Sequence, residues 1–332
     1  MPSDRTFVTE LATGLGMVGD GDIAAVLLRR PGVLANLTEE EWGRLRELWC
    51  SGAYGADFLA GYRNGVAFLE APDGLHGRRP RIVEWTGRRR APGDEAVPSD
   101  LRIDHVYLVS CKYLSRILHN PSPARLVEGL LTRAPVDDTS DWYQRVAPAE
   151  HQELYEACAA AGDELLLPQA VADLSRAQRR QLAHRLRGSW PAAAVEPYAR
   201  LCRVVSERAA QAWAARLGGG DPEAMVWRLL RIGSAPYFIL GTSPQGAMRL
   251  RIDTPWDWRQ AYQLRHFEVA PQAGGQPRVS WAATYLVRRT SVERVVRGHI
   301  EIRWSHGRFG QPPEAKVYLD SRHEDVPGYH AL

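Results

Sequence analysis

The stretch PSDLRIDHVYLVSCKY, residues 98–113, brings Asp100, Ser110 and Lys112 into one short run of strand-forming sequence. The chain counts 42 Lys and Arg together, yet the only lysines are Lys112 and Lys316. A composition this rich in Arg replaces a generic surface Lys by Arg. A retained Lys therefore points to a task that a guanidinium performs poorly. Arg is a permanently charged planar fork, whereas Lys is a compact ammonium that shifts its pKa and can approach a single oxygen. An acid and a Lys in this setting suit phosphodiester hydrolysis. That reaction needs a metal to bind the oxyanion, a water made nucleophilic near neutral pH, and positive charge at the developing phosphorane.

These residues resemble the PD-(D/E)XK nuclease superfamily, the carriers being PSD at 98–100, a strand, and SCK at 110–112 closing an apolar strand. The resemblance covers residues 56–118, with PYFILG at 236–241 as a later core strand. It implies a restriction-endonuclease-like α/β (α+β) fold, a mixed sheet flanked by helices, followed here by a C-terminal mainly-β region. It also implies DNA as substrate, with RNA left open, and Mg2+ or Mn2+ as cofactor. Asp100 would be the main metal ligand, and Lys112 would orient or activate the attacking water. Ser110 stands where the family has its second acid, an S-x-K variant. Magnesium takes carboxylate, carbonyl and water oxygens. The Cys111 backbone carbonyl is thus expected as a second ligand, Ser110 as the holder of a metal-bound water, and Glu84 or Glu70 as a further carboxylate.

Each of these residues also has a plain role. Asp100 serves as a turn residue, and Asp104 with His105 caps a hairpin turn. Glu84 pairs with neighbouring arginines, Cys111 is a small buried apolar group, and Lys112 carries its ammonium out to solvent. Glu314-Ala315-Lys316 is formally a better E-x-K. Its Glu follows the loop Gly310-Gln311-Pro312-Pro313, however, and no Asp lies between Asp257 and the motif, so Lys316 is expected to be structural.

The elements that position the candidates impose a condition. Side chains alternate across a strand, and residues opposite each other on paired strands share a face. A two-residue loop at Asp104-His105 would set Asp100 opposite Val109, pointing away from Lys112. A three-residue loop over Ile103–His105, or a bulge, would turn it to the lysine's side.

Around this hairpin the reading has three parts: a helical region over 1–75, a nuclease-like core with a helical insertion over 76–245, and a β-rich region over 246–332. Thr38 before EEEW reads as a helix N-cap with acids in the first turn, and ADFLAGYRNGVAFLEA repeats apolar residues at helical spacing. AVEPYARLCRVVSERAAQAWAARL is the clearest amphipathic run, ended by GGGDP. Six later strands are separated by Gly and Pro turns.

The net charge of +3 announces no general polyanion binder, so nucleic-acid contact must be local. Two stretches qualify: the arginine-rich 76–90, with Arg88, Arg89 and Arg90, and the loop carrying Arg303, Trp304, His306 and Arg308. Each also reads as ordinary structure, a solvated strand and loop in the first case and a packed strand end in the second. Four separated cysteines fit neither a zinc ribbon nor a disulfide framework. No P-loop, H-E-x-x-H or G-x-S-x-G motif is present. With no apolar run of membrane-spanning length, a cytoplasmic protein without a membrane partner is expected. The function expected is Mg-dependent endonuclease action in restriction-modification, antiviral defence or repair, with a homodimer or a defence-system protein as possible partner. The alternative is a nuclease-like nucleic-acid-binding or assembly protein without activity.

Overall fold

The computed structural model describes residues 3–18, 21–87, 99–113, 117–129, 141–161, 166–233, 235–243 and 246–332. Its elements in chain order begin with α1 (Asp4–Gly16), α2 (Ile23–Arg29), β1 (Leu34–Ala35), α3 (Glu39–Cys50), α4 (Gly55–Glu70), β2 (Val83–Trp85), β3 (Leu101–Ile103) and β4 (Tyr107–Tyr113). There follow β5 (Ile117–His119), α5 (Trp142–Val146), α6 (Pro148–Ala159), α7 (Arg176–Arg185), α8 (Val195–Leu217), α9 (Pro222–Leu229), β6 (Tyr237–Ser243) and β7 (Gly246–Ile252). The chain closes with α10 (Pro255–Ala261), β8 (Tyr262–Gly274), β9 (Gln276–Val287), β10 (Val292–Arg303), β11 (Glu314–Leu319) and β12 (Tyr329–Ala331). This is a mixed α/β chain, and no helix among the described residues is long and apolar enough to cross a membrane.

The chain forms two compact units, one of residues 1–115, 231–261 and 323–332, the other of 116–230 and 262–322. They cut across the divisions expected at 75 and 245. The reason is strand pairing: β7 and β12, from the expected C-terminal region, hydrogen-bond into the same sheet as β2–β4.

The first unit holds a seven-stranded sheet in the order β1-β2-β3-β4-β6-β7-β12. β2, β3 and β4 form an antiparallel meander, and β6 runs parallel to β4, a pairing that requires a long crossover. The helical starts are local chemistry. Thr38 and Glu41 make a reciprocal capping box at α3, and Ser3 accepts the Thr6 N–H at α1. One sheet face packs Val83, Trp85, Leu101, Val109 and Phe238 against Phe7, Leu11 and Phe68 of the helices. α1 and α4 cross with their backbones in near contact, because a Cβ on Gly65 would lie 2.0 Å from the Thr13 carbonyl oxygen. α1 is consequently buried along nearly its whole length.

The second unit holds an antiparallel sheet in the order β5-β11-β10-β9-β8. Alternation fills its inner face with Val279, Trp281, Ala283 and Tyr285 from β9 and Val296, Ile300 and Ile302 from β10, while Ala282 and Glu301 are buried on the other side. Gly298 leaves room for the indole of Trp281, since a Cβ there would come within 2.3 Å of it.

Candidate active site

The β3–β4 register decides whether Asp100 and Lys112 share a face. Ile103 pairs with Tyr107 and Leu101 with Val109, so the loop is the three residues Asp104, His105 and Val106. The odd loop length needed by the site is present, one position later than residues 103–105. Asp104 and His105 take left-handed backbone conformations, with φ of 50° and 60°. The Asp104 carboxylate sustains this turn by accepting the N–H groups of Arg81 (2.7 Å) and Ile82 (3.1 Å) and the Arg78 guanidinium (2.6 Å). The paired ladder ends at Leu101 and Val109; just beyond it the Asp100 N–H donates to the Val109 carbonyl (2.8 Å), an irregularity at the strand start from which the carboxylate reaches Ser110 and Cys111.

Asp100 Oδ2 accepts hydrogen bonds from the Cys111 N–H (2.6 Å) and the Ser110 hydroxyl (3.1 Å). Ser110 is buried, so its role is to hold the carboxylate. Asp100, Cys111, Lys112 and Tyr113 line a pocket of about 340 Å³, closed on its other side by the first two turns of α1. From that helix comes a residue that the motif reading missed. Glu10, only 7% exposed, lines the pocket and accepts a hydrogen bond from the Trp85 indole (2.7 Å). Burial, then the charge of Asp100, pushes the Glu10 carboxyl up to about 8; the Trp85 bond and Lys112 oppose the rise. A signal was available, because Glu10 is the one acid inside the otherwise apolar or small run FVTELATGLG.

Burial lowers the Lys112 pKa and the negative charge of Asp100 opposes this, while Arg231 lowers it further and Glu10 raises it. After burial, the charge of Asp100 is the strongest influence on this ammonium. Behind it, β6 approaches so closely that a Cβ on Gly241 would sit 2.1 Å from the Lys112 carbonyl oxygen. Buried Asn64 pins the same strand by donating to the Gly241 carbonyl (3.1 Å) and accepting from Arg249 (2.9 Å). Arg5 contributes a second pocket-lining cation, bonded to Asp57 at 3.2 Å, with its guanidinium 4.9 Å from the Tyr113 ring centre. Burial drives the Cys111 thiol well above its usual range, which removes it as a nucleophile.

Glu84 and Glu70 are not among the pocket's lining residues. Glu84 is held at the hairpin end by Arg102 (2.8 Å) and His105 (2.9 Å), and the Arg102 hydrogen bonds lower its pKa. Glu70 is exposed as the last residue of α4. Among the described residues no three His, Cys, Asp or Glu side chains form a ready metal cage. The donor set nevertheless fits a hard cation. Asp100 and Glu10 both line the pocket, and Glu10, whose carboxyl is held protonated first by burial and then by the charge of Asp100, would release that proton to an oxygen-seeking cation.

Of the expected nucleic-acid contacts, Arg88, Arg89 and Arg90 lie outside the described residues. The others, in the second unit, have internal work. Arg303 pairs with buried Glu301 (3.3 Å), and His306 lies 3.4 Å from Glu314. Trp304 packs edge-on against Tyr143, with ring centres 4.7 Å apart, and contacts Phe309. Arg308 donates to the carbonyls of Leu186 (2.8 Å) and Gly188 (2.7 Å) and covers the Trp190 ring. Lys316 pairs with Glu314 at 3.5 Å and faces Glu301 across the β10–β11 ladder. Compared with known proteins, this chain matches no family model, no curated protein and no solved structure.

Proposed function

We propose that the first unit is a metal-dependent phosphodiesterase acting on DNA, of the PD-(D/E)XK type with Ser110 in the second acidic position. The observation that carries this reading is the convergence of Asp100, Glu10 and Lys112 on one pocket. The meander β2-β3-β4 with β6 parallel to β4 supports it, because that sheet order suits a restriction-endonuclease-like core.

The carboxylates of Asp100 and Glu10 would hold Mg2+ or Mn2+, which supplies Lewis acidity and a water of lowered pKa. The remaining chemistry belongs to the chain. Lys112 orients the attacking water and offsets the charge that builds on the phosphorane, a role for which its compact ammonium suits it better than a fork-shaped guanidinium. Ser110 and the Cys111 N–H keep Asp100 aimed into the pocket. Arg5 provides a second positive contact for the phosphate.

A second reading, nucleic-acid binding without cleavage, draws on the two hydrogen bonds already occupying Asp100 Oδ2. One experiment separates the two. Mn2+ is titrated calorimetrically into the wild-type protein and Asp100→Asn, and plasmid cleavage is followed for the wild type and Lys112→Arg. The nuclease reading expects Mn2+ binding that Asp100→Asn removes, and cleavage that Lys112→Arg lowers by about 100-fold or more while DNA affinity persists. A wild-type protein that binds DNA but neither Mn2+ nor Mg2+ would establish the second reading instead.

A further inference from the structure

In the second unit, α7 carries Arg176, Arg179, Arg180, His184 and Arg185 and no acid. It is a well-started helix, with Ser175 and Gln178 forming a capping box. Its cations divide into two sets. Arg179 donates inward to the carbonyls of Leu174 (3.3 Å), Val171 (3.3 Å) and Phe309 (3.2 Å), and Arg185 to that of Cys158 (2.7 Å). Arg176, Arg180, His184 and, just past the helix end, Arg187 are exposed, and their side chains make no hydrogen bond or ion pair with any described residue.

The exposed set follows the helical repeat. Arg176, Arg180 and His184 stand at i, i+4 and i+8, about 6 Å apart along the axis, and Arg187 follows two residues past the helix end. Like charges at i,i+4 destabilise a helix by a few tenths of a kcal/mol per pair. Nothing within the described chain returns that cost. The other face is clamped. Leu182 and Leu186 are buried, and Ala183 fits against Gly307, where a Cβ would come within 2.9 Å. The two Arg308 bonds close the helix's C-terminal end. The loop over residues 303–311 is therefore the bracket that presents a basic helix face.

We propose that the α7 face formed by Arg176, Arg180, His184 and Arg187 binds the sugar-phosphate backbone of DNA. Charge complementarity selects this occupant: exposed arginines that make no ion pair with any described residue, with no acid between them in sequence, match a repeating polyanion, and phosphate contacts position without reading sequence. This deepens the reading above and rests on DNA being the substrate.

The test uses the full chain with Arg176→Gln, Arg180→Gln and Arg187→Gln combined, and an unmodified DNA duplex, with affinity measured from about 50 to 200 mM salt. None of the three side chains bonds to any described residue, so the melting temperature should hold. Affinity should fall about tenfold or more at the lowest salt. The slope of log affinity against log salt should shrink by about 0.9 for each phosphate that the variant leaves unneutralised. The DNA concentration for half-maximal cleavage should rise. An unchanged affinity and slope, in a protein that binds DNA, would overturn the α7 assignment and leave the active-site reading standing. The converse pattern, binding abolished by the α7 changes but cleavage indifferent to Lys112→Arg, would sink the active-site reading alone. Weakened binding to anionic lipid vesicles without any change for DNA would assign the face to a membrane surface and overturn the proposal.

Discussion

At the scale of single residues, the pocket is defined by what each group must give up to be there. Glu10 enters a helix whose neighbours are apolar, and its carboxyl is forced up by burial and by Asp100. The sign of the consequence for stability follows from linkage. Below its unfolded value near 4.5 the group is protonated in both states and has no effect. As pH rises from there to about 8, the unfolded chain releases the proton that the folded chain keeps, so stability falls across that window. Glu10→Gln keeps an acceptor for Trp85 and removes the titration. The variant should match the wild type near pH 4.5 and be more stable at pH 8 by an amount on the order of a few kcal/mol, seen as a higher melting temperature. Thermal denaturation across pH in the absence of metal checks this, and parallel curves for the two proteins would contradict it. The same variant should bind Mn2+ more weakly, which separates Glu10's stability cost from its use.

At the scale of elements, the site depends on close backbone approaches that place side chains no local rule could place. Gly16, Gly61 and Gly65 bring α1 and α4 together, and that contact sets Glu10 over the β3–β4 hairpin. Gly241 does the same for β6 against β4. Gly241→Ala would drive a methyl into the Lys112 carbonyl, an overpacking that costs about 1–3 kcal/mol and moves the lysine. The expected result is a lower unfolding midpoint in urea, together with loss of cleavage at temperatures where the variant is still folded. Normal cleavage by the folded variant would show that the lysine's placement is not critical. The hairpin loop acts at this scale too. The three-residue loop fixes the pairing of Leu101 with Val109, and the Asp100 N–H bond to the Val109 carbonyl just beyond it sets where the Asp100 carboxylate lies.

At the scale of the whole molecule, both units are assembled from discontinuous stretches of chain. The last ten residues belong to the first unit, where β12 covers the edge of β7. Val326 and Tyr329 are buried there, and His330 bonds at 2.9 Å to Asp253, itself buried. Ending the chain after Arg322 removes two apolar anchors worth about 1.5–3 kcal/mol each. It also strips a buried carboxylate of its closest partner. Amide exchange should then quicken in β7 and β6, while β9 and β10 of the second unit keep their own protection. An unchanged β7 would mean that the edge is stable uncovered.

Signals that act within about four residues were legible in the sequence. The Thr38 cap, the apolar period of α4 and the alternation along β9 and β10 follow from hydrogen bonds and burial that neighbours along the chain can satisfy. Asp100 and Lys112 were legible as candidates by residue type, but whether they faced the same way hung on one residue of loop. Tertiary structure alone brought Glu10 from α1 into the pocket and left Glu84 with Arg102. It also spent Arg308 on the end of α7 while leaving Arg176 and Arg180 in solvent. Charge in the sequence counts cations without saying which are used. A buried carbonyl or carboxylate must find a donor wherever the fold offers one, and in this chain those donors lie tens to more than a hundred residues away.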